Sequence, residues 1–213
     1  MPRFFRDPAT CDRRGLVAIG GDLTPERMLD AYSHGIFPFF DDSTPPLWWS
    51  PDPRAIIEID GLHVSRRLAR TLRAGKFTHT LNRAFGEVVA ACARVGGEDG
   101  VWITDTMVAA YTAMHRLGHA HSLEVWCEGE LAGGVFGIAV GGFFAGESMF
   151  TRVTDGSKAA LAFLFERLKA RGFRLSDVQY INDHTASLGA VEIPRRVYLR
   201  RLAEAVKVQT TLA

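Results

Sequence analysis

The chain has little with which to staple itself. Three cysteines, Cys11, Cys92 and Cys127, are scattered over 213 residues. That excludes a disulfide framework, and their spacing matches no zinc module. Such sparse cysteine usage fits a reducing compartment, and we expect a cytoplasmic protein. Net charge is also lacking, at +1. The molecule as a whole is no polybasic nucleic-acid coat, so any RNA contact must use a local patch. Long hydrophobic runs are absent too. The longest uncharged stretch, 131–146, is 16 residues with six glycines, short of the ~20 a membrane helix needs. It reads as two buried strands joined at Gly141-Gly142. Met1-Pro2-Arg3 leads into mixed polar residues, without a signal-peptide pattern. Internal repeats and low-complexity tracts are missing. What remains is 47% hydrophobic and 23% charged, enough for one sizeable core or one full domain plus a small one.

Thr24 caps a helix with Pro25 at its first position, running to about His34 and stopping at Gly35. Pro45, Pro46, Pro51 and Pro53 then predict irregular structure. The adjacent Trp48 and Trp49 predict that this stretch packs onto the body of the protein. A boundary near Asp60-Gly61 divides the chain into a small N-terminal domain, 1–60, and a larger one, 61–213. Ser65 caps a second helix. Asn82 caps a third, whose Phe85, Val88, Val89 and Cys92 have the spacing of a buried stripe. Thr104 opens a fourth. Strands follow at 122–127, 131–140 and 142–148, then a helix over 157–171. A strand around Asp177 and a final helix opened by Pro194 complete the chain. Helices, an antiparallel meander, then a helix, a strand and a helix make an α+β protein.

The most informative segment is Leu175-Ser176-Asp177-Val178-Gln179-Tyr180. In a strand, residues two apart share a face, so Asp177 and Gln179 point the same way within an apolar run. One reading is a satisfied hydrogen-bond network in a core; the other is a site that orients a nucleophile and handles its proton. Glu147 follows a second apolar run and suits either a cationic amine or a turn. Between Gly61 and Gly86 lie Arg66, Arg67, Arg70, Arg73, Lys76 and Arg83, with no Asp or Glu. Arg66, Arg70 and Arg73 share one helical face, as a phosphate-backbone footprint would, although a solvated face has the same pattern. Leu161, Leu164 and Leu168 share an apolar face, the spacing of ordinary core packing. His115, His119 and His121 lack a His-Glu-x-x-His arrangement, and no metal is expected. Asn182-Asp183-His184 reads as a capped turn in preference to a triad with Ser148. Arg152-Val153-Thr154-Asp155-Gly156-Ser157-Lys158 opens a helix with one glycine and an aspartate, which argues against a coenzyme A pyrophosphate there.

A set of blocks in fixed order resembles the leucyl/phenylalanyl-tRNA–protein transferase family. They are Gly20-Gly21-Asp22-Leu23, Gly35-Ile36-Phe37-Pro38, Trp48-Trp49-Ser50-Pro51-Asp52-Pro53-Arg54 and Trp102-Ile103-Thr104. His119-Ala120-His121-Ser122, Gly146-Glu147-Ser148-Met149-Phe150 and Asn182-Asp183-His184-Thr185-Ala186-Ser187-Leu188-Gly189-Ala190 continue the series, which runs on into Glu192-Ile193-Pro194-Arg195-Arg196. The resemblance implies a small N-terminal α/β domain and an acetyltransferase-like (GNAT-like) domain with a mostly antiparallel sheet and no coenzyme A. It implies transfer of Leu or Phe, less well Met, from charged tRNA to the N-terminal Arg or Lys of a protein, marking it for N-degron degradation. Asp177 and Gln179 match the residues that activate the acceptor amine, and Glu147 lies in the same site. The side-chain pocket maps to Val135, Phe144, Leu161 and Leu164, and the 3′ adenosine stacks near Trp102 and Phe39. Phe39 stands where the family often has tryptophan. The charge pattern, in turn, assigns the tRNA backbone to Arg66, Arg67, Arg70, Arg73 and Lys76. Aminoacyl-tRNA and acceptor proteins are the implied partners, with no membrane and no DNA. The ester is already activated, so no cofactor is implied. A small-molecule N-acyltransferase of the same fold, or a non-enzymatic RNA-binding module, are the alternatives.

Overall fold

The computed structural model describes residues 3–41, 43–94 and 103–213. Three short strands, β1 (Leu16–Ile19), β2 (Phe37–Pro38) and β3 (Leu47–Trp49), form an antiparallel sheet in the order β1-β3-β2. Helix α1 (Pro25–Ser33) starts with Pro25 in its first turn, although Thr24 makes no side-chain cap. The irregular stretch expected around the prolines is corrected by β3. Its three residues fit between Pro46 and Pro51, where no ladder bond needs a proline N–H. The paired tryptophans anchor it. Trp48 is fully buried and donates from Nε1 to the Gly20 carbonyl at 3.0 Å; Trp49 donates to Phe39 at 2.9 Å.

The larger sheet has seven strands: β10 (Val191–Ile193), β4 (Arg54–Ile57), β9 (Leu175–Gln179), β8 (Phe143–Thr151), β7 (Glu130–Val140), β6 (Ala120–Cys127) and β5 (Thr78–Leu81), in that spatial order. Every pair is antiparallel except β8–β9. Helix α5 (Gly156–Ala170) makes the crossover that parallel pairing requires. The chain is α+β, as its element order implies. The chain passes from the small sheet to the large one between Trp49 and Arg54, since β4 pairs with β9 and β10.

Both faces of this sheet are covered, so neighbouring residues on a strand enter different cores. Ile56, Phe136 and Phe143 join one apolar cluster with α1, α3 (Phe85–Ala93), α4 (Asp105–Arg116) and α7 (Arg195–Ala205). Ile57, Val135 and Phe144 join the other, under α5. Helix α5 approaches β7 closely: a Cβ on Gly133 would lie 2.6 Å from the Gly156 carbonyl carbon. Ser65 and Thr104 cap α2 (Arg66–Arg73) and α4 as expected. Asn82 does not cap α3. Its backbone is left-handed (φ +61°), and its Oδ1 accepts from the Ser122 N–H instead. Buried Glu124 serves the start of α3, accepting from Arg83 and Ala84 N–H at 3.3 and 3.4 Å, a favourable place for a carboxylate. Among the described residues, no helix is long and apolar enough to cross a membrane.

Candidate active site

Strands β8 and β9 pair only at Phe143↔Leu175, Phe144↔Ser176 and Ala145↔Asp177. Beyond that point β8 continues to Thr151 alongside β7, while β9 ends at Gln179. The gap is a cleft of about 370 Å³. Gly146 to Met149 line one wall, and Val178, Gln179 and Tyr180 the other. Pro38 and Phe39 of the small sheet, and Asn182, His184 and Thr185 around α6 (Asp183–Ser187), close its mouth.

Glu147 and Gln179 meet across this gap. Gln179 Nε2 donates to Glu147 Oε1 at 3.1 Å, and Tyr111 OH donates to Oε2 at 2.7 Å. Tyr32 OH lies 3.4 Å from Tyr111 OH. Burial pushes the Glu147 carboxyl up to about 7, against the hydroxyls of Tyr111 and Tyr32, which stabilise its charged form. The nearby Asp177 charge also raises it, and Arg54 lowers it. Burial and the Glu147 charge hold Tyr32 and Tyr111 well above the usual phenol range, so both remain neutral donors.

The sequence reading puts Asp177 and Gln179 on one strand face, but the strand period does not carry through to Gln179. Gln179 has a left-handed backbone (φ +65°), which ends strand geometry and its period of two. Its side chain lines the cleft, whereas Asp177 is fully buried and does not. They are joined through the backbone: Asp177 Oδ1 accepts the Gln179 N–H at 2.8 Å. Asp177 lies inside a satisfied core network, and Gln179 stands at a cleft. Asp177 also receives Arg54, Nε to Oδ1 at 2.9 Å and Nη2 to Oδ2 at 2.6 Å, and Tyr198 OH at 2.7 Å. Sequence reasoning passed over Arg54, Tyr32, Tyr111 and Tyr198. A signal existed for Arg54: an arginine opening the apolar run Arg-Ala-Ile-Ile, as Asp177 sits in another, and buried charges need partners.

Of the four residues expected to shape a side-chain pocket, Val135 and Leu161 line the cleft. Phe144 and Leu164 do not; they are buried in the same apolar cluster as those two. Phe39 lines the mouth and is 46% exposed. Trp102 lies outside the described residues. Arg66, Arg67, Arg70, Arg73 and Lys76 are all exposed, on α2 and the turn after it. Arg67 pairs with Asp155 at 2.8 Å, tying α2 to the start of α5. Asn182 caps α6 with a reciprocal Thr185 bond, and His184 stands on that helix at the cleft mouth. His115 Nδ1 donates to the Ala120 carbonyl, and His121 Nδ1 accepts from the Asn82 side-chain amide.

Residues 56–203 match the family model described as leucyl/phenylalanyl-tRNA protein transferase, and residues 21–52 match that of its N-terminal domain. The curated leucyl/phenylalanyl-tRNA–protein transferase of Escherichia coli O7:K1 is 53% identical over 188 residues, 88% of this chain and 80% of that protein. The enzyme of the same name from Shigella dysenteriae serotype 1 gives the same identity and coverage. Among solved structures, L-PGS from Bacillus licheniformis aligns over 74% of this chain and 51% of its own, with TM-score 0.40 and 16% identity.

Proposed function

Because the chain belongs to the leucyl/phenylalanyl-tRNA–protein transferase family, an aminoacyltransferase family, we propose that the β8–β9 cleft is where the aminoacyl group changes hands. The observation that carries this reading is the Glu147–Gln179 pair at the edge of an apolar cavity. Apolar lining with a few convergent polar groups, one of them a carboxyl raised to about 7, is what a small-molecule reaction site needs.

The chemistry is a substitution at an ester. The acceptor α-amine attacks the aminoacyl carbonyl, a C–N bond forms, and the bond to the terminal ribose oxygen breaks. The amine gives up a proton and the ribose oxygen gains one. With Gln179 Nε2 engaged by Glu147, its Oε1 is the acceptor left for the amine N–H. Glu147, with a pKa near that of a protein α-amine (~7.7–8.0), is suited to hold the amine and take its proton. Asp177 acts by positioning Gln179. The cavity chiefly supplies proximity, since the ester is already activated.

Val135 and Leu161 at the surface of the cavity, backed by Phe144 and Leu164, favour Leu and Phe, with Met less well. The family resemblance assigns the 3′ adenosine to Phe39, at the cleft mouth, and to Trp102. The exposed arginines of α2, with Lys76, hold tRNA phosphates. The acceptors are proteins with N-terminal Arg or Lys, which transfer commits to N-degron degradation in the cytoplasm. The division into residues 1–60 and 61–213, the second acetyltransferase-like, belongs to this reading. The test mixes the protein with Phe-tRNA and peptides beginning Arg, Lys or Ala. One phenylalanyl residue should be added to the first two and none to the third, by mass. No adduct on any peptide would sink the reading.

A further inference from the structure

Arg54 is a charged residue of the interior with a partner on every side of its guanidinium. It is 1% exposed and opens β4, beside an irregularity in the β4–β9 register between Ala55 and Ile56. Its guanidinium lies 4.6 Å from the ring centres of both Phe37 and Tyr198. Nη1 donates to the Gly35 carbonyl at 3.1 Å. The other two nitrogens take both oxygens of Asp177. With Tyr198 OH and the Gln179 N–H, the Asp177 carboxylate receives four donors, the number a carboxylate can accept. No oxygen of Asp177 is left for a substrate amine.

That arrangement has a consequence at the cleft. Gln179 is held in the left-handed region, where a residue with a Cβ is strained. The bond from its N–H to Asp177 Oδ1 offsets that strain, and Asp177 is itself fixed by the planar fork of Arg54. We propose that Arg54, braced by Tyr198, is a positioning residue for the transfer: through Asp177 it holds the Gln179 backbone in the conformation that delivers the carboxamide to Glu147 and the cleft. The proposal rests on the reading of Gln179 as the group that meets the amine. It adds that Gly35 and Phe37, the stretch after α1, and Tyr198, in α7, act on the reaction through one guanidinium.

A buried ion pair could instead serve the fold alone, and a double-mutant cycle separates the two. Arg54→Lys keeps the charge and loses the fork. Arg54→Lys, Gln179→Ala and the double variant are compared by single-turnover transfer of Phe from tRNA, with tRNA affinity and thermal midpoint measured in parallel. Arg54→Lys should lower the rate about 10²-fold, the scale of a 1 Å misplacement, with tRNA affinity within about twofold. In the Gln179→Ala background the same change should cost no more than about twofold, because the group it positions is gone. Equal losses in both backgrounds, or a full rate for Arg54→Lys, would overturn the proposal. A full rate for Gln179→Ala alone would sink the reading of Gln179, and this proposal with it. If Arg54→Lys does not fold, Tyr198→Phe replaces it in the cycle, since it keeps the ring on Arg54 and removes only a hydroxyl from Asp177. Failure of both variants to fold would assign the clamp to the fold and refute a positioning role.

Discussion

Replacing Glu147 by Gln removes a titrating carboxyl and keeps its shape. In the folded protein this carboxyl is raised from 4.5 to about 7. Its proton is therefore bound more tightly in the native state than in the unfolded chain. Stability is fully present below about pH 4.5 and is lost as pH rises through about 7. At about 1.4 kcal/mol per pH unit, the loss approaches roughly 3 kcal/mol. Glutamine stays neutral throughout, so Glu147→Gln should gain on the wild type by roughly that amount between pH 4.5 and 8. His121 works in the opposite direction. Burial lowers it to about 4, so its contribution is lost as pH falls through 6.5 towards 4. Both proteins carry it, and it cancels in the difference. Urea unfolding at half-unit pH steps, followed by tryptophan fluorescence, gives the two curves. Parallel curves would refute the argument, because they would mean that Glu147 ionises in the folded state as it does unfolded.

Transfer by the wild type should rise with pH through about 7 as the Glu147 carboxylate forms, and Glu147→Gln should lose that part of the pH–rate profile while keeping the rise due to the amine. In the apolar cavity, Leu161→Ala should alter the ratio of Leu to Phe transfer by about 10–200-fold, the worth of roughly 1–3 kcal/mol of shape, while Ile and Val, branched at Cβ, transfer poorly; equal rates for Leu and Ile from matched tRNAs would contradict the pocket. Changing Arg66, Arg70 and Arg73 together to Ala should weaken every charged tRNA alike and flatten the salt dependence of log affinity by roughly 0.7–0.9 per phosphate lost. Transfer from a short aminoacyl-adenosine should be nearly unchanged, and an equal loss there would remove α2 from the tRNA footprint. Gly137→Ala should lower stability by about 1–3 kcal/mol or more, because its Cβ would sit 2.1 Å from the Ala145 carbonyl oxygen; an unchanged thermal midpoint would contradict the tight β7–β8 packing.

Local signals in the sequence were legible where local physics decides. The stripe Phe85, Val88, Val89 and Cys92 is buried, Ser65, Thr104 and Asn182 cap their helices, and the turn falls at Gly141-Gly142. Strands of three or four residues were not legible, since β3, β4, β5 and β10 are too short for a period and owe their existence to partners distant in sequence. Asn82 looked like a cap because its neighbours are helical, but Glu124 from β6 already serves the start of α3. Asp177, Gln179 and Glu147 stood out as polar residues in apolar strands. Their true arrangement depends on a left-handed residue, which leaves no local trace, and on an arginine 123 positions away, whose one signal is its place at the head of an apolar run. Separation along the chain also hid Tyr32 and Tyr111, which reach Glu147 from two separate helices.

Single-turnover transfer of Phe from tRNA by Gln179→Ala and Asp177→Asn, with tRNA affinity measured on the same preparations, tests the central claim most directly. The account predicts rates at least ~10²-fold below wild type for both, at nearly unchanged tRNA affinity. Near-normal rates in both variants would contradict it, leaving the pair a structural feature of the β9 strand and placing the chemistry elsewhere.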